Sequence, residues 1–118
     1  MSSSLKSFDA HIYFNLESRP QAEAMREAAI LEFAKLPIAI SPLVNRKVGP
    51  HPRPMFEIQF RPDLLSQMIL WLTANRNGLP VLVHQVTGDD LRDHYEGALW
   101  MGEMLELDRS QLDPNPVP

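Results

Sequence analysis

Residues 8–14, FDAHIYF, alternate between two kinds of side chain with period two. Phe8, Ala10, Ile12 and Phe14 fall on one side, and Asp9, His11 and Tyr13 on the other. Successive side chains of a strand point to opposite faces, so this stretch predicts a strand with one face in a core. PMFEIQF, residues 54–60, repeats the pattern, with Phe56, Ile58 and Phe60 set against Met55, Glu57 and Gln59. LPVLVH, residues 79–84, is a short apolar strand in which Val81 and Val83 oppose Leu82 and His84. IAISPLVNRKV, residues 38–48, is β-prone but carries Pro42. Proline is confined to sheet edges, which makes this an edge strand.

Two helical patterns separate these strands. Ala22, Met25, Ala29, Phe33 and Leu36 recur at helical spacing and predict a helix over residues 19–35. Ser18 and Gln21 fit a capping box before it, and Pro20 suits its first turn. Leu65, Met68, Ile69 and Leu72 mark a second helix, with Gly78 as its C-terminal cap. The order β-α-β-β-α-β is that of a ferredoxin-like α+β sandwich. It implies a four-stranded antiparallel sheet with both helices on one face and a C-terminal extension. The first and third strands lie in the centre, the fourth beside the first and the second beside the third. After the fourth strand, Thr87-Gly88 reads as a turn. A short helix follows, capped by Asp89 or Asp90, with Leu91, Tyr95 and Ala98 on one side. The domain is expected to span residues 8–108, between a disordered N-terminus (1–7) and a proline-rich flexible tail (109–118).

Composition narrows the function classes. A chain of 118 residues with 44 % hydrophobic and 22 % charged residues suits one globular domain. A net charge of −4, with scattered Lys and Arg, argues against nucleic acid as a partner. The absence of cysteine excludes disulfides, thiolate metal sites and a cysteine nucleophile. No apolar run approaches the ~20 residues of a membrane span, and MSSSLKSF lacks a signal-peptide core. A soluble cytoplasmic protein is expected.

The sheet face turned away from the helices carries the chemistry. It holds Asp9, His11, Tyr13, Met55, Glu57, Gln59, Leu82 and His84. His11 lies on the strand between those of Glu57 and His84, and directly opposed side chains sit ~5 Å apart. Two imidazoles and a carboxylate are the donor set of the facial triad that binds non-haem Fe(II), and they also suit Zn(II). His51, in the proline-flanked stretch GPHP, sits at one end of the sheet, and His94 can fold over the face. The plain alternatives are half-buried strand histidines, a turn at His51, and Glu57 solvated or paired with Arg46 or Lys47. Trp71 and Trp100 read as core or interface. Glycine-rich phosphate loops, HExxH and GxSxG are absent.

The stretches DAHIYF, VGPHPRPMFEIQF and LPVLVHQVTGDDLRDHYEGALWMGE together resemble the DOPA 4,5-dioxygenase family over residues 8–108. The resemblance implies a ferredoxin-like domain, often dimeric, that cleaves a catechol such as DOPA in the extradiol mode with non-haem iron and O₂. The family's motif histidines match His11, His51, His84 and His94. Proline commonly follows the histidine of the VH motif, whereas Gln85 stands here. On this reading His11 and His84 hold Fe(II), or Zn(II) as a substitute, together with Glu57 or His51. His94, or His51 if it is not a ligand, serves as general acid and base. Tyr13 orients the substrate, and Arg53 or Arg92 meets a substrate carboxylate. The expected partners are a catechol, O₂ and a second copy of the chain, with neither nucleic acid nor membrane. The rival reading is a non-catalytic, dimeric small-molecule or metal-binding module with His11 and His84 at its interface. A zinc-dependent hydrolase is a third.

Overall fold

The alternating stretches pair into a single antiparallel sheet. In the computed structural model, which describes residues 7–112, the elements run β1 (Ser7–Tyr13), α1 (Arg19–Glu32), β2 (Ala39–Ile40) and β3 (Met55–Phe60). They continue with α2 (Leu65–Asn75), β4 (Val81–Val86), α3 (Asp90–His94) and β5 (Ala98–Met101). The sheet order is β2-β3-β1-β4-β5, the expected ferredoxin-like order with one strand added. β5 pairs with β4 from Val81↔Met101 to His84↔Ala98, where the sequence suggested a continuing helix. The sheet is therefore five-stranded rather than four-stranded. No helix among the described residues is long and apolar enough to cross a membrane.

The period-two pattern sorts the faces as expected. Phe8, Ala10, Ile12, Phe56, Ile58, Phe60, Val81 and Val83 join one core cluster. α1 contributes Ala22, Met25 and Ala29 to it, and α2 contributes Met68 and Leu72. Burial of such side chains is worth about 1.5–3 kcal/mol each and dominates the stability of the sheet-helix layer. The opposite face holds a second cluster of Tyr13, Met55, Leu82, Leu105 and Leu107. The chain after β5 thus folds back across the face without helices.

Several local expectations change. The Ser18 hydroxyl does not cap α1. It accepts from the Asn15 backbone N–H at 2.9 Å, while the Asn15 side chain accepts from the Ser18 N–H, which closes a turn ahead of the helix. α1 ends at Glu32, three residues early, in a tight turn where the Leu36 N–H meets the Phe33 carbonyl. Pro37 follows and disfavours helical backbone at Leu36. Past α2, Asn77 and Gly78 take positive φ (48° and 82°), so the chain reverses at the expected glycine. Within the stretch expected to be loose, Arg109–Gln111 form a 3₁₀ turn capped by Asp108, and Leu112 is buried. Residues 1–6 of the expected disordered N-terminus and residues 113–118 of the expected tail lie outside the described residues.

Candidate metal centre

His11 sits in the middle of the central strand, β1, between β3 and β4. Its directly opposed neighbours are Glu57 on β3 and Leu82 on β4. His84 lies opposite Asp9, one diagonal step from His11. The two rings still meet, Nε2 to Nε2, at 2.9 Å. His51 enters from the Val48–His51 turn, whose ends pair through a backbone bond of 3.0 Å and whose Gly49 has φ 56°. His94 arrives at the end of α3. The centroids of the other three imidazoles lie 4.0 to 6.4 Å from that of His11. The four histidines expected around one pocket thus form one cluster.

Main-chain carbonyls aim two of the rings. His84 Nδ1 is 2.7 Å from the Gln85 carbonyl, and His94 Nδ1 is 2.7 Å from the Asp90 carbonyl. A carbonyl only accepts, so each Nδ1 carries the proton and each Nε2 keeps a lone pair. The His84 lone pair meets His11 Nε2. One nitrogen each from His11, His84 and His94 lie within 4.8 Å of one another, close enough to hold an ion. His11, His51 and His84 are buried, and burial is the largest cause of their lowered pKa values. His51 and His84 fall to about 4, with the neighbouring imidazoles adding to the shift. Neutral imidazoles with converging lone pairs are the form a metal requires, and the residues present fit a metal ion.

Glu57 occupies the other side of His11. Its Oε1 is 3.7 Å from Nδ1, and it groups with Asp9 and His11 rather than with His84. The expected set of His11, Glu57 and His84 is therefore not brought together on one ion, because His11 turns opposite nitrogens to the two partners. Burial, Glu57 and Asp93 push the Asp9 carboxyl up to about 7.

Tyr13 lies against the cluster, and its hydroxyl is 2.6 Å from His51 Nδ1. Burial raises its pKa well above the usual phenol value, so it stays protonated. Two residues assigned to the substrate carboxylate are engaged elsewhere, Arg53 with Glu103 at 3.4 Å and Arg92 with Glu96 at 3.6 Å. The cations that line the cleft beside His51, of about 750 Å³, are Lys47 and Arg109. A smaller apolar cleft, about 150 Å³, reaches His94 along Trp100, Met104 and Leu105, and Leu107 lines both clefts. Sequence reasoning also missed Asp93. It is buried, and its carboxylate accepts from the Thr87 N–H at 2.8 Å and the Thr87 hydroxyl at 2.6 Å. This clamp anchors α3, and with it His94. The TGDD…D pattern was its only signal, because Asp89 does cap α3, as expected, by accepting from the Arg92 N–H.

Comparison with known proteins adds to this geometry. A model of the Dopa 4,5-dioxygenase family matches residues 8–111. An uncharacterised 21.2 kDa protein of Botryotinia fuckeliana is 40 % identical over 87 % of the chain. The DOPA 4,5-dioxygenase of Amanita muscaria is 28 % identical over 95 % of it. The alignments span 61 % and 52 % of those two relatives' length. The crystal structure of a proposed dioxygenase from Nostoc punctiforme is 34 % identical and superposes with a TM-score of 0.83, covering 91 % of this chain and 90 % of that one.

Proposed function

We propose, for a chain that belongs to the Dopa 4,5-dioxygenase family, that it is an extradiol catechol dioxygenase whose metal is held by His11, His84 and His94. The observation that carries this reading is the convergence of three imidazole nitrogens, two of them aimed by main-chain carbonyls. Nitrogen donors suit iron, with Zn(II) as a substitute. When bound, Fe(II) would supply a common site for a catechol and O₂ and a path for the electrons that pass from the first to the second.

The remaining residues handle protons and position. His51 is not needed as a ligand and takes the acid-base role. Burial keeps it neutral, which leaves one ring nitrogen with a lone pair beside the cluster. The Tyr13 hydroxyl serves either tautomer. When it accepts from Nδ1–H, Nε2 is a base; when it donates to Nδ1, Nε2–H is an acid. Tyr13 thus supports proton uptake early and proton return later. The apolar cleft beside Trp100 suits an aromatic ring, and Lys47 or Arg109 suits an acidic tail. The rival reading places His11 and His84 in a dimer interface, yet each residue is already only 3 % exposed within one chain.

The test is anaerobic loading with Fe(II), followed by DOPA or caffeate and O₂. A coloured ring-opened product that depends on iron is expected. No product across a catechol panel, with no stoichiometric metal bound, would remove the proposal.

A further inference from the structure

We propose that Glu57 is a positioning residue that accepts a hydrogen bond from His11 Nδ1–H when a metal takes Nε2, so that His11 changes tautomer as the centre fills. The inference rests on the metal reading above and concerns a residue that is not one of its ligands.

The argument starts from proton accounting. The Gln85 carbonyl fixes the His84 proton on Nδ1, so His84 Nε2 can only accept. The 2.9 Å contact between the two Nε2 atoms then needs its proton from His11. A neutral imidazole has one N–H, and His11 Nδ1 is left with a lone pair. That nitrogen is buried and has no hydrogen-bond partner, and the same holds for Asp9 Oδ1. Glu57 Oε1 lies 3.7 Å from it. Without a metal, the His11 Nδ1 lone pair therefore faces the Glu57 carboxylate with no donor between them, an unfavourable arrangement at the centre of the sheet.

A metal on Nε2 removes the conflict. It takes the Nε2 lone pair, and the single ring proton resides on Nδ1. The number of protons on His11 is unchanged and no electron moves. Nδ1–H then faces the Glu57 carboxylate, its register partner. The Glu57 side chain is 35 % exposed, so it has room to close the gap to hydrogen-bond distance. A carboxylate behind a ligating histidine fixes its tautomer and raises its basicity, and losing such a partner weakens metal binding about 10–100-fold.

The experiment uses chain carrying ¹⁵N-labelled histidine, observed by long-range ¹H–¹⁵N correlation, with Zn(II) as a diamagnetic probe. His11 should show Nε2–H without metal and Nδ1–H with it. Glu57→Ala should bind Zn(II) about 10–100-fold more weakly while keeping the fold, and Glu57→Gln, which retains an acceptor oxygen, should recover part of the loss. If His11 already carries its proton on Nδ1 before zinc is added, or Glu57→Ala binds as tightly as wild type, the inference is overturned and the metal reading survives; if His11 keeps Nε2–H in the zinc-loaded protein, His11 does not ligate through Nε2 and both fall. If wild type takes up no Zn(II), both fall. The tautomer measurement needs only wild-type protein, so it decides the matter even if the variants fail to fold.

Discussion

At the scale of single residues, the cluster divides its histidines by what holds the second ring nitrogen. His84 and His94 rest on carbonyls, His11 looks toward a carboxylate, and His51 meets a phenol. The division predicts different phenotypes. His84→Ala and His94→Ala should each weaken Zn(II) or Fe(II) binding by more than the ~10–100-fold that loss of a supporting partner costs, as read by calorimetry. His51→Gln should keep the metal but lower turnover by about 10²–10⁴, the range of a lost acid-base group. Unchanged turnover in single-turnover kinetics would take the proton role from His51. Which residues share this face was legible in the sequence, since His11, Glu57 and His84 all follow from the period-two pattern. Which nitrogen each partner faces was not. It depends on a diagonal step between His11 and His84 that only the β1-β4 register defines.

At the scale of elements, α3 is the part that brings His94 to the strands. It has five residues and is too short to hold itself together. The Asp93 carboxylate, tied to Thr87 by two bonds, supplies the missing support. Asp93→Ala should cost about 1–3 kcal/mol, the penalty for leaving buried partners unmatched. It should speed hydrogen exchange across residues 87–96 and weaken metal binding, while the β1-β3-β4 pairing stays protected. If exchange in that segment does not change, the clamp has no anchoring role. The strands β1, β3 and β4 were legible because their faces differ. β5 was not: ALWM is apolar on both faces, and periodicity cannot separate a short apolar strand from a helix.

At the scale of the whole molecule, the buried centre couples folding to pH and to metal. In the metal-free protein His51 and His84 titrate near 4 rather than at the ordinary 6.5. Between those values the unfolded chain binds protons that the folded chain refuses, so stability falls as pH drops from about 6.5 toward 4. The slope is about 1.4 kcal/mol per pH unit for each net proton. Asp9 has the opposite sign. Its folded pKa of about 7 exceeds the ordinary 3.8, so its contribution is present at low pH and is lost as pH rises through 7. His11 shifts in the same sense as the other two histidines, so the imidazoles outweigh Asp9. Thermal unfolding of chelator-treated protein should therefore give a melting temperature that is highest near neutrality and falls toward pH 5. A rise toward pH 5 would mean that the histidines are charged in the folded state. Added Zn(II) at about 100 times its Kd should stabilise the protein by about 2.7 kcal/mol at neutral pH.

The bond from His84 to the Gln85 carbonyl bears on what position 85 must supply. The acceptor is the main-chain carbonyl of residue 85, and every amino acid brings that same carbonyl, proline included. A change of side chain at position 85 leaves that acceptor in place, because the orientation of His84 is written in a part of the chain that mutation does not edit.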